Sequence, residues 1–282
     1  MFSKLLATLF ALNLIFPPSS NALPMSPPRT SKGLSADLSW SGVAVLRPAT
    51  GERFTSVSGE FTIPHLAHDP PPPEERHVAF FVGVDGSGHE PASLLNAGIF
   101  CTVDTHGAVG CYVFAHWFPE WIRLDHGPDP LEVVPGNHIE VVVQFALDDR
   151  EGMVTIKNIS KGTETTRRMQ NATPVKGAQV EWMVSLPTFL NPDGSIYFSS
   201  GLADFGEVTF THCYAKTDKG NTVDLSKPSL FYRIYSEGSK ITDVNTSGGR
   251  AVSVSGGGVR GVQVSSLTVK YQGPGEGHIN SH

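Results

Sequence analysis

Apolar residues recur along this chain in short runs that are either alternating or apolar throughout, and turn residues separate the runs. Such runs are typical of β-strands, and no apolar pattern with the 3.6-residue period of a helix exceeds ten residues. Many short strands joined by turns indicate an antiparallel sandwich or barrel. The predicted strands span residues 42–46, 56–63, 77–84, 110–117, 138–145, 153–158, 164–169, 178–184, 207–215, 230–235, 251–254 and 267–271.

The composition agrees with this fold class. The chain has 282 residues, including 29 glycines and 21 prolines, which suits many tight turns without reaching disordered compositions. A β-sandwich of this size is commonly a single domain. The formal net charge of -6 is mild, and Lys and Arg form no run denser than Arg167-Arg168. The sequence therefore gives no indication of a nucleic-acid partner.

The beginning of the chain has the features of an export signal. Lys4 precedes a 12-residue, mostly apolar run, and small residues end at Ala22, where we expect cleavage. That run is too short to span a bilayer, and no later apolar run reaches 18 residues. We therefore expect a secreted, extracellular protein without a membrane anchor. The expected segments are a signal peptide (1–22), a flexible lead-in (23–37), one β-sandwich domain (38–273) and a flexible tail (274–282).

Three cysteines are present, and their spacing favours one pair. Cys101 and Cys111 flank a turn-rich stretch, so a hairpin would bring them together as a disulfide and leave Cys213 free. The cysteines lack the C-x-x-C spacing of a structural zinc site, and we predict no metal or other cofactor. In a secreted protein, N-x-S/T triplets are candidate glycosylation sites, and they occur at Asn158, Asn171 and Asn245.

Several hydrolase signatures are missing from the sequence. It contains no G-x-S-x-G elbow, no H-E-x-x-H motif and no Asp-Thr/Ser-Gly of the aspartic peptidases. The alternating acidic residues of many glycoside hydrolase strands are also missing. His65 and His68 lie in a proline-flanked loop without a third ligand of obvious spacing, which favours solvated histidines over a metal site.

Two polar residues in apolar surroundings remain as candidates for chemistry. Glu181 lies in an otherwise apolar predicted strand, where an ionised carboxylate costs several kcal/mol unless it is paired or solvated. It is either a carboxylate in a cleft or a glutamate on the polar face of an edge strand. Asn96 is either a turn residue or a polar group aimed into a site.

Several segments, in their order along the chain, match a set of short motifs. They are residues 40–46 (W-x-G-A-V-L), 54–64, 81–86 (W-V-G-I-D-G), 94–99 (I-L-Q-T-G-V), 115–120 (Y-E-W-Y-P-[DE]), 154–162 (V-x-[LV]-x-N-L-T-T-G), 178–184 (T-N-A-E-[WF]-I-[VI]) and 203–211 (A-x-F-G-x-V-x-F-T). In this order the segments resemble the glutamic peptidases, or eqolisins, a family of secreted acid peptidases found mainly in fungi. The resemblance runs from about Trp40 to Tyr271.

The resemblance implies an all-β fold, an antiparallel β-sandwich of the concanavalin A-like jelly-roll type with two large sheets. It also implies a Gln and Glu pair, in which Glu activates a water and the Gln amide stabilises the oxyanion. Glu181 takes the place of the glutamate, and Asn96 takes the place of the glutamine. Asn is one methylene shorter, a difference of about 1 Å. Losing one oxyanion donor costs about 100- to 1000-fold in rate.

A second amide lies near the candidate base. Gln179 stands where the family has Asn, two residues before its glutamate, so the two amides are exchanged relative to the family. Residues two apart on a strand share a face, so Gln179 can either reach the oxyanion or orient Glu181. The resemblance further implies that Asp85, Trp117 and Phe81 bind substrate, with Phe81 replacing the motif tryptophan.

The sequence therefore predicts a secreted, monomeric acid hydrolase that binds a polypeptide or small-molecule substrate in a concave cleft. No nucleic-acid or membrane partner is expected. Two alternatives remain open. One is a non-proteolytic family member repurposed for small-molecule chemistry, and the other is a glycan-binding sandwich module.

Overall fold

The computed structural model describes residues 34–37, 40–46, 50–86, 93–126, 129–147, 150–190, 196–198, 201–225, 230–236, 239–240, 242–249 and 263–272. Across these ranges the chain forms β-strands and turns without an α-helix, so the all-β prediction is confirmed. No helix in the described ranges is long and apolar enough to cross a membrane. The predicted signal peptide (1–22), the tail (274–282) and the predicted strand 251–254 lie outside the described residues.

The first sheet contains nine strands, numbered here in chain order, and only its β1–β16 pair is parallel. Its strand order is β1 (Leu34–Asp37), β16 (Leu230–Ser236), β2 (Trp40–Leu46), β11 (Gln179–Ser185), β4 (Arg76–Val84), β5 (Leu95–Val103), β6 (Val109–Trp117) and β7 (Glu120–Arg123), and β17 (Ser239–Lys240) pairs with β16.

The second sheet contains eight strands and is antiparallel throughout. Its order is β10 (Thr163–Gln170), β9 (Glu151–Asn158), β8 (His138–Phe145), β3 (Phe54–Thr62), β14 (Glu207–Thr217), β19 (Gln263–Tyr271) and β18 (Thr242–Gly249), and β15 (Thr222–Asp224) pairs with β14. Strands β12 (Thr188–Leu190) and β13 (Ile196–Phe198) form a separate two-stranded sheet.

The hydrophobic core lies between the two large sheets and follows the alternation of side chains along each strand. In β11, Val180, Trp182 and Val184 are fully buried in this core. Burial of an apolar side chain of this size contributes about 1.5–3 kcal/mol. The Trp182 indole also donates a hydrogen bond to the Ser58 carbonyl of β3 (2.8 Å), which joins the two sheets. The remaining residues of β11 point away from the second sheet, onto what we call the outer face of the first sheet.

Each predicted strand within the described residues overlaps an observed strand, but the pattern missed others. The longest of these are β5 and β18. Asn96 and Gly98 interrupt the apolar run of β5, while β18 is polar and glycine-rich and forms at the sheet edge by pairing with β19. Strand β1 occupies the last four residues of the segment expected to be a flexible lead-in, because its backbone pairs with the distant strand β16.

The cysteine predictions are confirmed. Cys101 on β5 lies directly opposite Cys111 on β6, and the two form a disulfide. Cys213 is a free thiol buried in the core, and burial raises its pKa.

At two of the three candidate glycosylation sites, the asparagine amide nitrogen is hydrogen-bonded to other parts of the chain. The buried Asn158 amide nitrogen donates to the Glu132 carbonyl (3.1 Å) and to Asn137 Oδ1 (2.9 Å). The Asn171 amide nitrogen donates to the carbonyls of Trp117 (3.0 Å) and Phe118 (2.8 Å). A glycan on either nitrogen would disrupt these bonds, so the structure argues against both sites. The side chain of Asn245 lies outside the described residues.

Candidate active site

The two leading candidates lie on one row of residues across the first sheet. Glu181 on β11 is paired with Gly83 on β4, and Gly83 is paired in turn with Asn96 on β5. The row continues to His116, which lies opposite Asn96 on β6. We refer to Glu181, Gly83, Asn96 and His116 as the central row. Its side chains lie on the outer face, because their neighbours along each strand belong to the core.

Gly83 is the reason that the acid and the amide come close. The strands that carry Glu181 and Asn96 flank β4 and lie about 10 Å apart, twice the spacing of neighbouring strands. A Cβ atom on Gly83 would lie 2.8 Å from Asn96 Cβ and 3.1 Å from Glu181 Oε1. Glu181 Oε1 therefore extends into the space that the missing side chain leaves, and Asn96 Cβ borders that space. A glycine inside a strand is a sequence signal for such a close approach.

Three polar side chains in or beside the central row are buried, whereas His116 is half-buried. The exposed fraction is 0% for Glu181, 4% for Asn96 and 5% for Gln179. The solvent-filled cleft that the resemblance implies around these side chains stays a prediction. Around the row, the outer face carries an apolar cluster of buried residues, namely Ala44, Ala79, Phe81, Phe100, Phe114, Met183 and Tyr232.

Gln179 lies on the same face as Glu181. Strand β11 pairs with β2 without a register shift, and Val180 and Trp182 face the core, so Gln179 and Glu181 both face outward. Gln179 is paired with Leu46 and is not a member of the central row. It is therefore a neighbour of Glu181 along the strand, whereas Asn96 lies across Gly83 from Glu181.

Asp85 does not occupy a substrate-binding position. Its fully buried carboxylate accepts backbone N–H groups from Lys176 (2.6 Å), Gly177 (3.1 Å), Ala178 (2.8 Å) and Gln179 (3.3 Å), as well as the Ser93 hydroxyl (3.4 Å). A carboxylate has about four lone-pair sites, so none remains for a substrate. Burial raises the pKa of Asp85, while the four N–H donors act in the opposite direction. Asp85 instead fixes the loop that leads into β11.

Trp117 is a core residue, contrary to the expectation of a substrate contact. It lies next to His116 along β6 and so points to the opposite face, where it is fully buried between the sheets. Its indole N–H donates to the Thr173 carbonyl (3.1 Å).

Phe81 does lie on the outer face, two residues before Gly83 on β4. Its ring makes an edge contact with Trp40 at 5.8 Å between centroids, and the side chain is buried in the apolar cluster. Direct contact between Phe81 and substrate stays a prediction.

His116 is a site residue that sequence reasoning missed. Burial lowers the pKa of its imidazole to about 4, so the ring is neutral at higher pH. The ring makes an edge contact with Phe118 at 6.1 Å. Two sequence signals were available: a polar residue within an apolar strand, and the departure from the motif Y-E-W-Y-P, whose Glu aligns with His116.

The family model of the Peptidase A4 family matches residues 38–256. The chain belongs to the Peptidase A4 family. Membership makes it a hydrolase of the peptidase class, as the sequence predicted. Within the described residues, no group of three or more His, Cys, Asp or Glu side chains has the arrangement of a metal site.

Relatives of this Peptidase A4 member include Aspergillopepsin-2 from Aspergillus niger, which is 28% identical over 229 residues, or 74% of each chain. Scytalido-glutamic peptidase, solved with a peptide-based transition state analog, has a TM-score of 0.64 at 20% identity and covers 83% of this chain and 98% of its own. SCP-B of the Eqolisin family, solved with the tripeptide Ala-Ile-His, has a TM-score of 0.61 at 19% identity, with the same coverage. These structures confirm the β-sandwich fold.

The gap at Gly83 gives a first testable prediction for this Peptidase A4 member. A methyl group in Gly83→Ala would push Asn96 and Glu181 apart, and we expect peptide cleavage to fall about 100-fold, as for a misplaced catalytic group. Gly110→Ala is the control, because a Cβ on this glycine of the same sheet meets only Thr102 Oγ1 at 3.6 Å. Equal activity of the two variants would show that the gap is not needed.

Proposed function

We propose that this chain is an acid endopeptidase of the glutamic type, with Glu181 as the general base and the Asn96 carboxamide as the oxyanion donor. One observation carries the proposal: Glu181 and Asn96 border the same space over Gly83, on one face and one row of the sheet. An acid and an amide that face one space are the groups needed to activate a water and to stabilise an oxyanion.

In this mechanism Glu181 removes a proton from a water as its oxygen attacks the carbonyl carbon of the scissile peptide bond. Negative charge develops on the carbonyl oxygen, and the Asn96 Nδ2–H group donates a hydrogen bond to it. Glu181 then returns the proton to the peptide nitrogen as the C–N bond breaks.

The proposed substrate is an extended polypeptide that lies across the outer face. Trp121 is paired with His116 on the neighbouring strand, is 39% exposed and stacks on Phe114 at 5.9 Å. Phe118 nearby is 37% exposed. Exposed aromatic side chains beside a site supply large apolar contacts. The peptide ligands of scytalido-glutamic peptidase and SCP-B support this substrate class. Because Glu181 and Asn96 are buried, the groups that cover them must move when a peptide binds.

Secretion is part of the proposal. The signal-like residues 1–22 and the Cys101–Cys111 disulfide support it, because disulfides persist in oxidising compartments. Protein recovered from the culture medium with an N-terminus after Ala22 would establish both export and the cleavage site.

A second candidate is a family member that has lost proteolysis and acts on a small molecule. Asn96 favours it, because this side chain is about 1 Å shorter than the glutamine whose place it takes. The two candidates differ in a simple assay, since only the first cleaves denatured protein.

The test is digestion of a denatured protein substrate at about pH 2 to 6, the range in which a carboxylate base titrates. Asn96→Ala and Gln179→Ala show which amide serves the oxyanion. We expect Asn96→Ala to lose about 100-fold or more in turnover and Gln179→Ala clearly less. The reverse order would assign the oxyanion to Gln179. Wild-type protein without any cleavage in this range would refute the proposed peptidase.

A further inference from the structure

Four aromatic residues form a continuous cluster on the outer face, beside the central row. They are Phe100 on β5, Tyr112 and Phe114 on β6, and Trp121 on β7. Phe100 stacks on Tyr112 at 4.7 Å between ring centroids, and Trp121 stacks on Phe114 at 5.9 Å. The Trp121 ring also makes edge contacts with Tyr112 at 5.8 Å and with Phe100 at 6.3 Å. Contacts with three rings therefore hold the indole in one orientation.

Trp121 is the exposed member of this cluster. Phe100 and Phe114 are buried, whereas Trp121 is 39% exposed. The Arg123 guanidinium covers the half-buried Tyr112 ring at 4.0 Å, and Arg123 is itself paired with the Asp125 carboxylate. Little net charge therefore remains at this end of the cluster. An exposed indole that is already held in place loses little conformational freedom when an apolar side chain packs on it.

The position of Trp121 relative to the central row sets its distance from the candidate catalytic groups. Trp121 is paired with His116, the last residue of the central row, and so continues that row onto β7. Three strand spacings of about 4.8 Å separate β7 from β4, which carries Gly83, so Trp121 lies about 14 Å along the row from the space over Gly83. An extended peptide advances about 3.3 Å per residue, so about four residues span this distance.

We propose that Trp121 is a substrate-binding residue that selects an aromatic or large aliphatic side chain about four residues from the cleaved peptide bond. This inference rests on the proposed function, in which an extended polypeptide lies across the outer face. The substrate runs along the central row, with its cleaved bond over Gly83 and its apolar side chain packed on the exposed indole. Only a substrate long enough to reach β7 benefits from this contact.

Substrate length and sequence test this selection. Long peptides carry phenylalanine in turn at the third, fourth and fifth positions on each side of the cleaved bond, with alanine as the reference, and a short peptide ends two residues from the bond. We expect phenylalanine near the fourth position on one side to raise kcat/KM about 5- to 10-fold, the effect of an aromatic contact. Trp121→Ala should remove this preference, mainly through KM, and leave cleavage of the short peptide within about twofold of wild type. A wild type without the preference, or a preference that Trp121→Ala retains, would overturn the inference.

Two variants serve as controls. Trp121→Phe keeps an aromatic ring and should retain most of the preference. Tyr214 has a similar exposed fraction, 40%, but lies on β14 in the second sheet, so Tyr214→Ala should cleave every peptide as the wild type does. If Trp121 served only to pack the hairpin of β6 and β7, Trp121→Ala would lose the same activity on long and short peptides. That result would also overturn the inference.

Calorimetric titration measures the contact without catalysis. The Glu181→Gln protein should bind the preferred long peptide about 5- to 10-fold more tightly than its alanine counterpart, and adding Trp121→Ala should abolish the difference. Equal affinities for the two peptides would overturn the inference, even where the wild type cleaves both. A difference in affinity that depends on Trp121, in a protein whose wild type cleaves no peptide, would support the contact at Trp121 and refute the proposed function.

Discussion

Replacing Glu181 with glutamine is expected to lower peptide cleavage by about 1000-fold, within the range that general acid–base catalysis contributes. The amide keeps the shape of the carboxylate but cannot accept the proton of the attacking water. Glu181 is fully buried, and a neutral amide of the same shape carries no charge that would have to be desolvated there. We therefore expect the variant to fold, and its thermal unfolding should occur at the wild-type temperature or above. Initial rates on one peptide across acid pH measure the effect.

Glu140→Gln is the matched control for this substitution. Glu140 is a partly buried glutamate on β8, paired with Glu60 and Lys157 in the second sheet, far from the central row. The Glu140→Gln substitution makes the same chemical change as Glu181→Gln and should leave the rate of peptide cleavage unchanged. If Glu181→Gln retained wild-type activity, Glu181 would have no part in the mechanism, and the family resemblance would describe the fold alone.

The second large effect is expected for Asp85→Asn, and it concerns stability. One carboxylate oxygen of Asp85 accepts the backbone N–H groups of Lys176 and Gly177, and the other accepts those of Ala178 and Gln179. An amide has only one acceptor atom, so two of these donors would face an NH₂ group. Each donor left unsatisfied costs about 1–3 kcal/mol, and we expect a loss of roughly 2–5 kcal/mol in unfolding free energy. Urea unfolding near neutral pH measures it.

Asp104→Asn is the control for Asp85→Asn. A single oxygen of Asp104 accepts the N–H groups of His106 and Ala108, both at 2.8 Å, so an amide oxygen can replace it. We expect a loss below about 1 kcal/mol, within the usual range for a neutral hydrogen bond. Equal losses in the two variants would contradict the view that Asp85 anchors the start of β11. Activity should fall with stability only in Asp85→Asn, because that loop places Glu181.

The candidate site was only partly predictable from the sequence. Glu181 and Asn96 stood out because each is a polar residue in an apolar strand, and the motif order related them to one family. Asp85 and Trp117 were assigned to the substrate by the same motifs, but their surroundings give them other roles. A motif records that a residue type recurs at a position, and it does not record which face of the sheet that residue takes.

The sequence by itself determined the fold class, the disulfide and the family, because these depend on local alternation, on turn residues and on motif order. Tertiary structure alone decided which strands are neighbours, and hence that Glu181, Gly83, Asn96 and His116 form one row. Those four residues come from four strands spread over about a hundred positions of the chain. Pairing between distant strands is set by the burial of whole sheet faces, a property that no short segment of sequence contains.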